Sequence, residues 1–95
     1  MIEKTEFYID GRWVAPSTPK TLDVINPADE QPFAIISLGS AADVDKAVDA
    51  ARRAFPSWSA TTKEERVAAL ERLLEAYKAR VADMAKAISE EMGAP

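Results

Sequence analysis

The sequence predicts an α/β chain in which short strands, beginning with a hairpin, are followed by two α-helices, the second of them long. Three observations carry this. Asp10-Gly11 stands between Phe7-Tyr8-Ile9 and Arg12-Trp13-Val14, a turn dipeptide flanked by aromatic and β-branched residues, which is the pattern of a tight hairpin. At Ser40 the apolar period changes from that of strands to about 3.6 residues. From Lys63 to Met92 an apolar stripe continues without a Gly or Pro.

The elements follow in order. Asp10-Gly11 tolerates the positive φ angles of a two-residue type I′ turn, which pairs the strands on either side. Ala15–Lys20 contains Pro16 and Pro19 and reads as a loop. Thr21-Leu22-Asp23-Val24-Ile25 resumes a strand pattern and runs into Asn26-Pro27, where the proline ring fixes φ and the Asn side chain can form its own turn. Phe33–Leu38 is a third extended run, more continuously apolar, ending at Gly39.

Ser40 and Asp43 then match a capping box with Asp in the Glu position, and Val44, Ala47, Val48, Ala51, Ala54 and Phe55 recur on one helical face. Pro56 is expected to end this first helix, with Trp58 in the link. Thr62 and Glu65 form a second capping box, Thr61 being the alternative cap. Val67, Leu70, Leu74, Tyr77, Val81, Met84, Ile88 and Met92 keep helical spacing, so one helix from about Lys63 to Met92 is expected.

Such a helix, at ~1.5 Å per residue, measures ~45 Å, whereas a compact globule of this length is only ~30 Å across. Its apolar stripe would overhang into water. A bend near Ala79-Arg80, self-association, or a larger covering body would each resolve the conflict.

Composition narrows the function. Hydrophobic residues at 47% and charged residues at 29% are those of a globular chain. A net charge of -4 and a pI near 4.8 lack the clustered cations of a nucleic-acid surface. No apolar run approaches the roughly 20 residues of a membrane helix, and the opening residues lead into no signal-peptide core; a cytoplasmic protein is the expectation. With no Cys and no His, thiolate nucleophiles, imidazole bases and most zinc sites are excluded from these residues.

The remaining candidates read as structure. Asp43, Asp45 and Asp49 are expected on a solvated helix face, with Asp49 and Arg53 spaced for an ion pair. Trp13 and Trp58 are expected to cover a core edge rather than a ligand. Ser40 and Thr62 lack a neighbouring base and serve as caps. Gly11, Gly39 and Gly93 are scattered at element boundaries, so no phosphate-binding glycine loop exists.

Taken in sequence, "YIDGRWV", "DVINPADE", "FAIISLGSAADVDKAVDAARRAFPSWS" and "TKEERVAALERLLEAYKARVADMAKAISEEMGAP" resemble the amino-terminal region of the NAD(P)-dependent aldehyde dehydrogenases. The resemblance implies that residues 1–95 are the amino-terminal part of a dinucleotide-binding domain, the opening of a longer enzyme. Gly93 and Pro95, where a helix passes into a connection, fit that view. It further implies a parent that oxidises an aldehyde to a carboxylic acid with NAD or NADP, as a homo-oligomer.

The family's nucleophilic Cys, Glu base, oxyanion-hole Asn and dinucleotide-binding residues all lie beyond Pro95, so this stretch is expected to be structural, inactive alone and without cofactor. One feature of some members maps here: a monovalent-cation site that takes the backbone carbonyls of the two residues before Asn-Pro, here Val24 and Ile25, with its other ligands from later chain. Many members have Thr-Gly-Glu after Asn-Pro-Ala, where this chain has Asp29-Glu30 without the glycine, and many have Gly-Lys-Pro where this chain has Ala94 in place of the lysine. The competing reading is a complete small interaction module whose stripe from Val67 to Met92 pairs with a copy of itself or another helix.

Overall fold

The structure, a computed structural model, describes Met1–Pro95. Five strands are followed by three helices: β1 (Ile2–Lys4), β2 (Phe7–Ile9), β3 (Arg12–Val14), β4 (Thr21–Asn26), β5 (Gln31–Ser37), α1 (Ala41–Ser59), α2 (Lys63–Lys78) and α3 (Val81–Met92). They form the α/β arrangement the sequence predicts, with differences that have local causes.

β2 and β3 pair antiparallel, Phe7 opposite Val14 and Tyr8 opposite Trp13. Asp10 and Gly11 both take positive φ, 55° and 77°, as a type I′ turn requires. The other sheet has the order β1-β5-β4, with β4 antiparallel and β1 parallel to β5. β1 carries no periodic signal, because three residues are too few to show one and its partner, Ala34–Ile36, is distant in sequence. β5 begins two residues before the expected Phe33 and includes Pro32. This is tolerated because Pro32 lies where β5 has a neighbour only on the β4 side, next to a register shift at Val24/Ile25.

Between β4 and β5 the Asn26 side chain accepts from the Ala28 N–H at 2.9 Å, and Asp29 does the same for Gln31 at 3.0 Å. Glu30, at φ 61°, adopts the left-handed conformation that glycine takes without strain.

Both capping boxes form: Ser40 with Asp43, and Thr62, rather than Thr61, with Glu65. Pro56 does not end α1, which continues to Ser59 with Trp58 inside it. Hydroxyl groups take up carbonyls of this last turn, Ser57 on Ala54, Ser59 on Pro56 and Thr61 on Trp58, which gives partners to the carbonyls at the helix end, although none of them reaches the Arg52 carbonyl that the proline ring leaves without its N–H.

The expected helix from Lys63 to Met92 is two helices, broken near Ala79-Arg80, which is one of the three ways the overhang could be resolved. Ala79 and Arg80 separate α2 from α3, with Arg80 at φ −120°, ψ 13°. α3 ends at Gly93 in the left-handed conformation, packed on the ring of Pro27, and lies against β4.

The assembly has almost no core. Ala34 and Asp43 are the buried residues. The radius of gyration is 17.0 Å, against ~12 Å for a compact chain of this length. Trp13 and Trp58 are 65% and 52% exposed, so within this chain neither covers a core edge as expected.

Candidate functional site

Two places bring side chains together. The first is the corner where the loop after β3 meets the start of α1. Proline at 16 and 19 stiffens this loop, and Ser17 reaches the Asp43 carboxylate. The Ser17 N–H and O–H both donate to Oδ1 at 2.9 Å. The Ser40 N–H and O–H donate to Oδ2 at 2.9 and 3.1 Å.

Asp43 is 5% exposed, which corrects the expectation of a solvated face. Burial costs little here because every lone-pair direction has a donor. The Ser40 and Ser17 backbone N–H groups, foremost among the donors, lower its pKa from 3.8 to about 2. Lys46 donates to the Ser17 hydroxyl at 3.2 Å.

Beside this corner, Arg53 pairs with Asp49 at 3.0 Å, as the spacing predicts, and also with Asp10 of the hairpin turn at 3.6 Å. The hairpin is thus tied to α1 at both ends by polar contacts, all specific in direction but mostly in water. The Ser17 and Ser40 hydroxyls are both committed to the Asp43 carboxylate and Lys46 to Ser17, so what the corner visibly does is hold the loop after β3 on the start of α1.

The second place is a groove of about 640 Å³ between the three-stranded sheet and helices α2 and α3, lined by Val24, Phe33 and Ile36 on one side and by Leu73, Tyr77 and Met84 on the other. Lys4, Arg80, Asp83, Lys86, Glu90 and Glu91 also line it. Leu70, Leu74, Val81 and Ile88 of the same two helices are also exposed.

Val24 and Ile25 sit at the end of β4, where the register with β5 shifts. A shift of this kind interrupts the regular ladder and alters which carbonyls are committed to it. Val24 lines the groove and Ile25 does not. α3 brings Glu90 and Glu91 to the same groove; Glu90 pairs with Lys86 at 3.5 Å, while Glu91 has no ion pair. Sequence spacing alone could not associate Glu91 with Val24, since only the packing of α3 on β4 does so. No group of three acidic, His or Cys side chains is gathered anywhere in the chain. No helix is long and apolar enough to cross a membrane.

The N-terminus of α1 follows a strand through Gly39, the usual place for phosphate recognition in α/β proteins. Here the first turn holds Asp43, whose carboxylate already accepts from the Ser40 N–H and places a negative charge where a phosphate would lie. The chain's own residues do not fit a dinucleotide phosphate at that point.

Comparison with known proteins agrees with the fold. The family model described as "Aldehyde dehydrogenase family" matches residues 13–95. A 3-succinoylsemialdehyde-pyridine dehydrogenase from a Pseudomonas species is 50% identical over all 95 residues. A putative aldehyde dehydrogenase from Staphylococcus aureus is 41% identical over the same span. The chain covers 20% of the length of each, at the amino-terminal end.

Among solved structures, an aldehyde dehydrogenase from Bartonella henselae is similar over the whole chain, with 53% identity and a TM-score of 0.98, the match covering 20% of that protein. An aldehyde dehydrogenase C mutant from Pseudomonas syringae, complexed with NAD+ and octanal, matches 90% of this chain and 18% of its own, with 48% identity and a TM-score of 0.88. Since sequence and backbone both match across nearly the whole length, the chain belongs to the aldehyde dehydrogenase family.

Proposed function

We propose that these residues form the amino-terminal outer layer of an enzyme that oxidises an aldehyde to a carboxylic acid with NAD+ or NADP+. On this reading they are part of its dinucleotide-binding domain and contribute scaffold rather than catalytic groups. The observation that carries the reading is the combination of a backbone matching a dehydrogenase at a TM-score of 0.98 with a chain whose sole buried apolar residue is Ala34. An arrangement so open is stable only when other residues cover its apolar faces. The NAD+ and octanal of the Pseudomonas syringae neighbour support a nicotinamide cofactor and an aldehyde substrate for the parent.

Thiolate attack on the aldehyde carbon, followed by hydride transfer to the cofactor, requires a Cys that these residues lack. The parent would supply it from later chain and would work as a cytoplasmic homo-oligomer. A monovalent cation at the Val24 and Ile25 carbonyls, with Glu91 as the carboxylate partner, would fasten β4 to the end of α3.

The test is turnover of an aldehyde panel by the full-length gene product with each dinucleotide, alongside calorimetric titration of the 95-residue chain. Activity in the former with no micromolar dinucleotide binding in the latter is the expected result. A saturable signal from the 95-residue chain would contradict the scaffold role. The competing reading, a self-contained interaction module, requires a stable oligomer of the 95-residue chain and a full-length product without turnover.

A further inference from the structure

The hairpin turn holds a chemically labile peptide bond in the open. An aspartyl residue isomerises when the backbone nitrogen of the next residue attacks its side-chain carboxyl carbon, and the reaction is fastest before glycine, which has no side chain to crowd that nitrogen. Asp10 is followed by Gly11, while the other six aspartates precede Val, Glu, Lys, Ala or Met. The single asparagine, Asn26, has a better leaving group for the same ring closure, but it precedes Pro27, whose nitrogen carries no proton to give up.

The fold leaves this peptide accessible. Asp10 and Gly11 are the two central residues of the turn, at φ 55° and 77°, and lie outside the strand pairing, which ends at Ile9 opposite Arg12. A Cβ added at Gly11 would meet no atom within 4 Å. The Asp10 side chain is 51% exposed, so water, which the second half of the reaction consumes, reaches it freely.

One contact restrains the carboxylate. The Arg53 guanidinium stands 3.6 Å from Asp10 Oδ2 and is itself fixed by Asp49 at 3.0 Å, one helical turn earlier on α1. A carboxylate drawn towards α1 has less freedom to rotate onto the Gly11 nitrogen. Both partners are more than half exposed, so the restraint is modest, a factor of about two to five for an ion pair in water.

We propose that Asp10 is a site of spontaneous isomerisation to isoaspartate, held in check by Arg53. The Gly11 nitrogen bonds to Asp10 Cγ, a carboxyl C–O bond breaks, and water leaves with the amide proton, giving a cyclic imide. Water then adds to the former main-chain carbonyl and breaks its bond to the Gly11 nitrogen, so that the chain continues through Cγ. One water is lost and one gained, with no change in oxidation state. The product carries an extra methylene in the main chain of a two-residue turn, which is incompatible with the pairing of Ile9 and Arg12, and its carboxylate, now attached directly to Cα, is drawn back from Arg53. The hairpin thereby loses its ion-pair link to α1. This inference rests on the hairpin alone and stands independently of the dehydrogenase reading.

The test is incubation of the full-length gene product, folded, at neutral pH and physiological temperature. Trypsin, cutting after Lys4 and Arg12, then releases Thr5–Arg12, in which electron-transfer fragmentation distinguishes isoaspartate from aspartate. The expected result is isoaspartate accumulating at residue 10 and at none of the other six aspartates. The rate should rise about two- to fivefold in Arg53→Gln and stay unchanged in Arg52→Gln. Arg53→Lys, which keeps a cation at this position of α1, should isomerise more slowly than Arg53→Gln, separating loss of the ion pair from loss of the arginine stem. Two results would overturn the proposal: no isoaspartate at residue 10 of Arg53→Gln over a time in which the synthetic peptide Thr5–Arg12 converts measurably, or equal rates in wild type and Arg53→Gln.

Discussion

The hairpin corner and the helical groove are built from the same chain by opposite means. In the corner, Asp43 collects four hydrogen bonds from Ser17 and Ser40, and Arg53 links the turn of the hairpin to α1. Nothing from outside is needed to satisfy those groups. Leu73, Tyr77 and Met84 line the open groove, Leu70, Leu74 and Ile88 are exposed on the same helices, and α2 has little to rest on. The corner is complete within these residues; the groove is open and its apolar side chains are largely exposed. Directional polar contacts can be closed locally, whereas the apolar faces of α2 and α3 find little opposing surface within this arrangement of elements.

The largest expected effect sharpens that contrast. Leu74 is 50% exposed in this chain. Leu74→Ala is expected to cost the full-length protein about 2–5 kcal/mol, as for a buried Leu, and the 95-residue chain only about 0.5 kcal/mol or less, as for a surface position. Denaturant unfolding of both proteins gives the comparison. Equal small losses would mean that the face of α2 carrying Leu74 stays uncovered in the parent.

The corner is broken by Asp43→Ala, which leaves the donors of Ser17 and Ser40 without their acceptor. Proteolysis within Ala15–Lys20 should accelerate, while Asp45→Ala, on the solvated side of α1, should leave the rate unchanged. The pH dependence has a definite sign. The folded pKa of Asp43, about 2, lies below its ordinary 3.8, so the carboxylate stabilises the fold above about pH 4. That contribution falls as pH drops from 3.8 towards 2 and is gone below 2. Asp43→Asn should remove this part of the acid dependence; acid profiles of wild type and variant that differ only by a constant offset would exclude it.

Next in size is the hairpin turn. Gly11 has φ 77° with no atom near a would-be Cβ, so Gly11→Val meets backbone strain of about 1–2 kcal/mol and no clash. Arg12→Val, within β3, is expected to be neutral or slightly favourable. Melting temperatures that move alike for the two variants would argue against the left-handed turn. The smallest effect has the opposite sign. Glu30→Gly removes a non-glycine residue from φ 61° and should stabilise the protein by about 0.5–1 kcal/mol, with Glu30→Ala as the control that should gain nothing.

Legibility in the sequence followed the reach of each interaction. The Asp10-Gly11 turn, both capping boxes, the Asn26 turn and the Asp49–Arg53 pair join residues at most four apart, and each could be read directly. β1 could not be, because its parallel partner is β5. Asp43 was legible as a cap but not as a buried residue, since Ser17 approaches from 26 positions away. Pro56 was misleading because its helix-stopping tendency is an average, and here it stands within the last turn of α1, whose end carbonyls accept from Ser57, Ser59 and Thr61. The break at Arg80 carries no Gly, Pro or capping side chain and was legible only as one way to resolve the overhang of a ~45 Å helix. At the candidate site, Val24 and Ile25 came from family resemblance alone, and Glu91 emerged only when α3 was placed on β4.

The central claim is that the faces of α2 and α3 are made to be covered by the rest of a longer dehydrogenase. Amide hydrogen exchange over residues 63–92, compared between the full-length protein and the 95-residue chain, tests it most directly. The account predicts that α2 amides exchange slowly, near the global unfolding limit, in the full-length protein and rapidly in the 95-residue chain, while the Ser40–Asp43 corner changes least. Equal protection of α2 in both, at concentrations where the 95-residue chain is monomeric, would show that α2 needs no cover and would contradict the account.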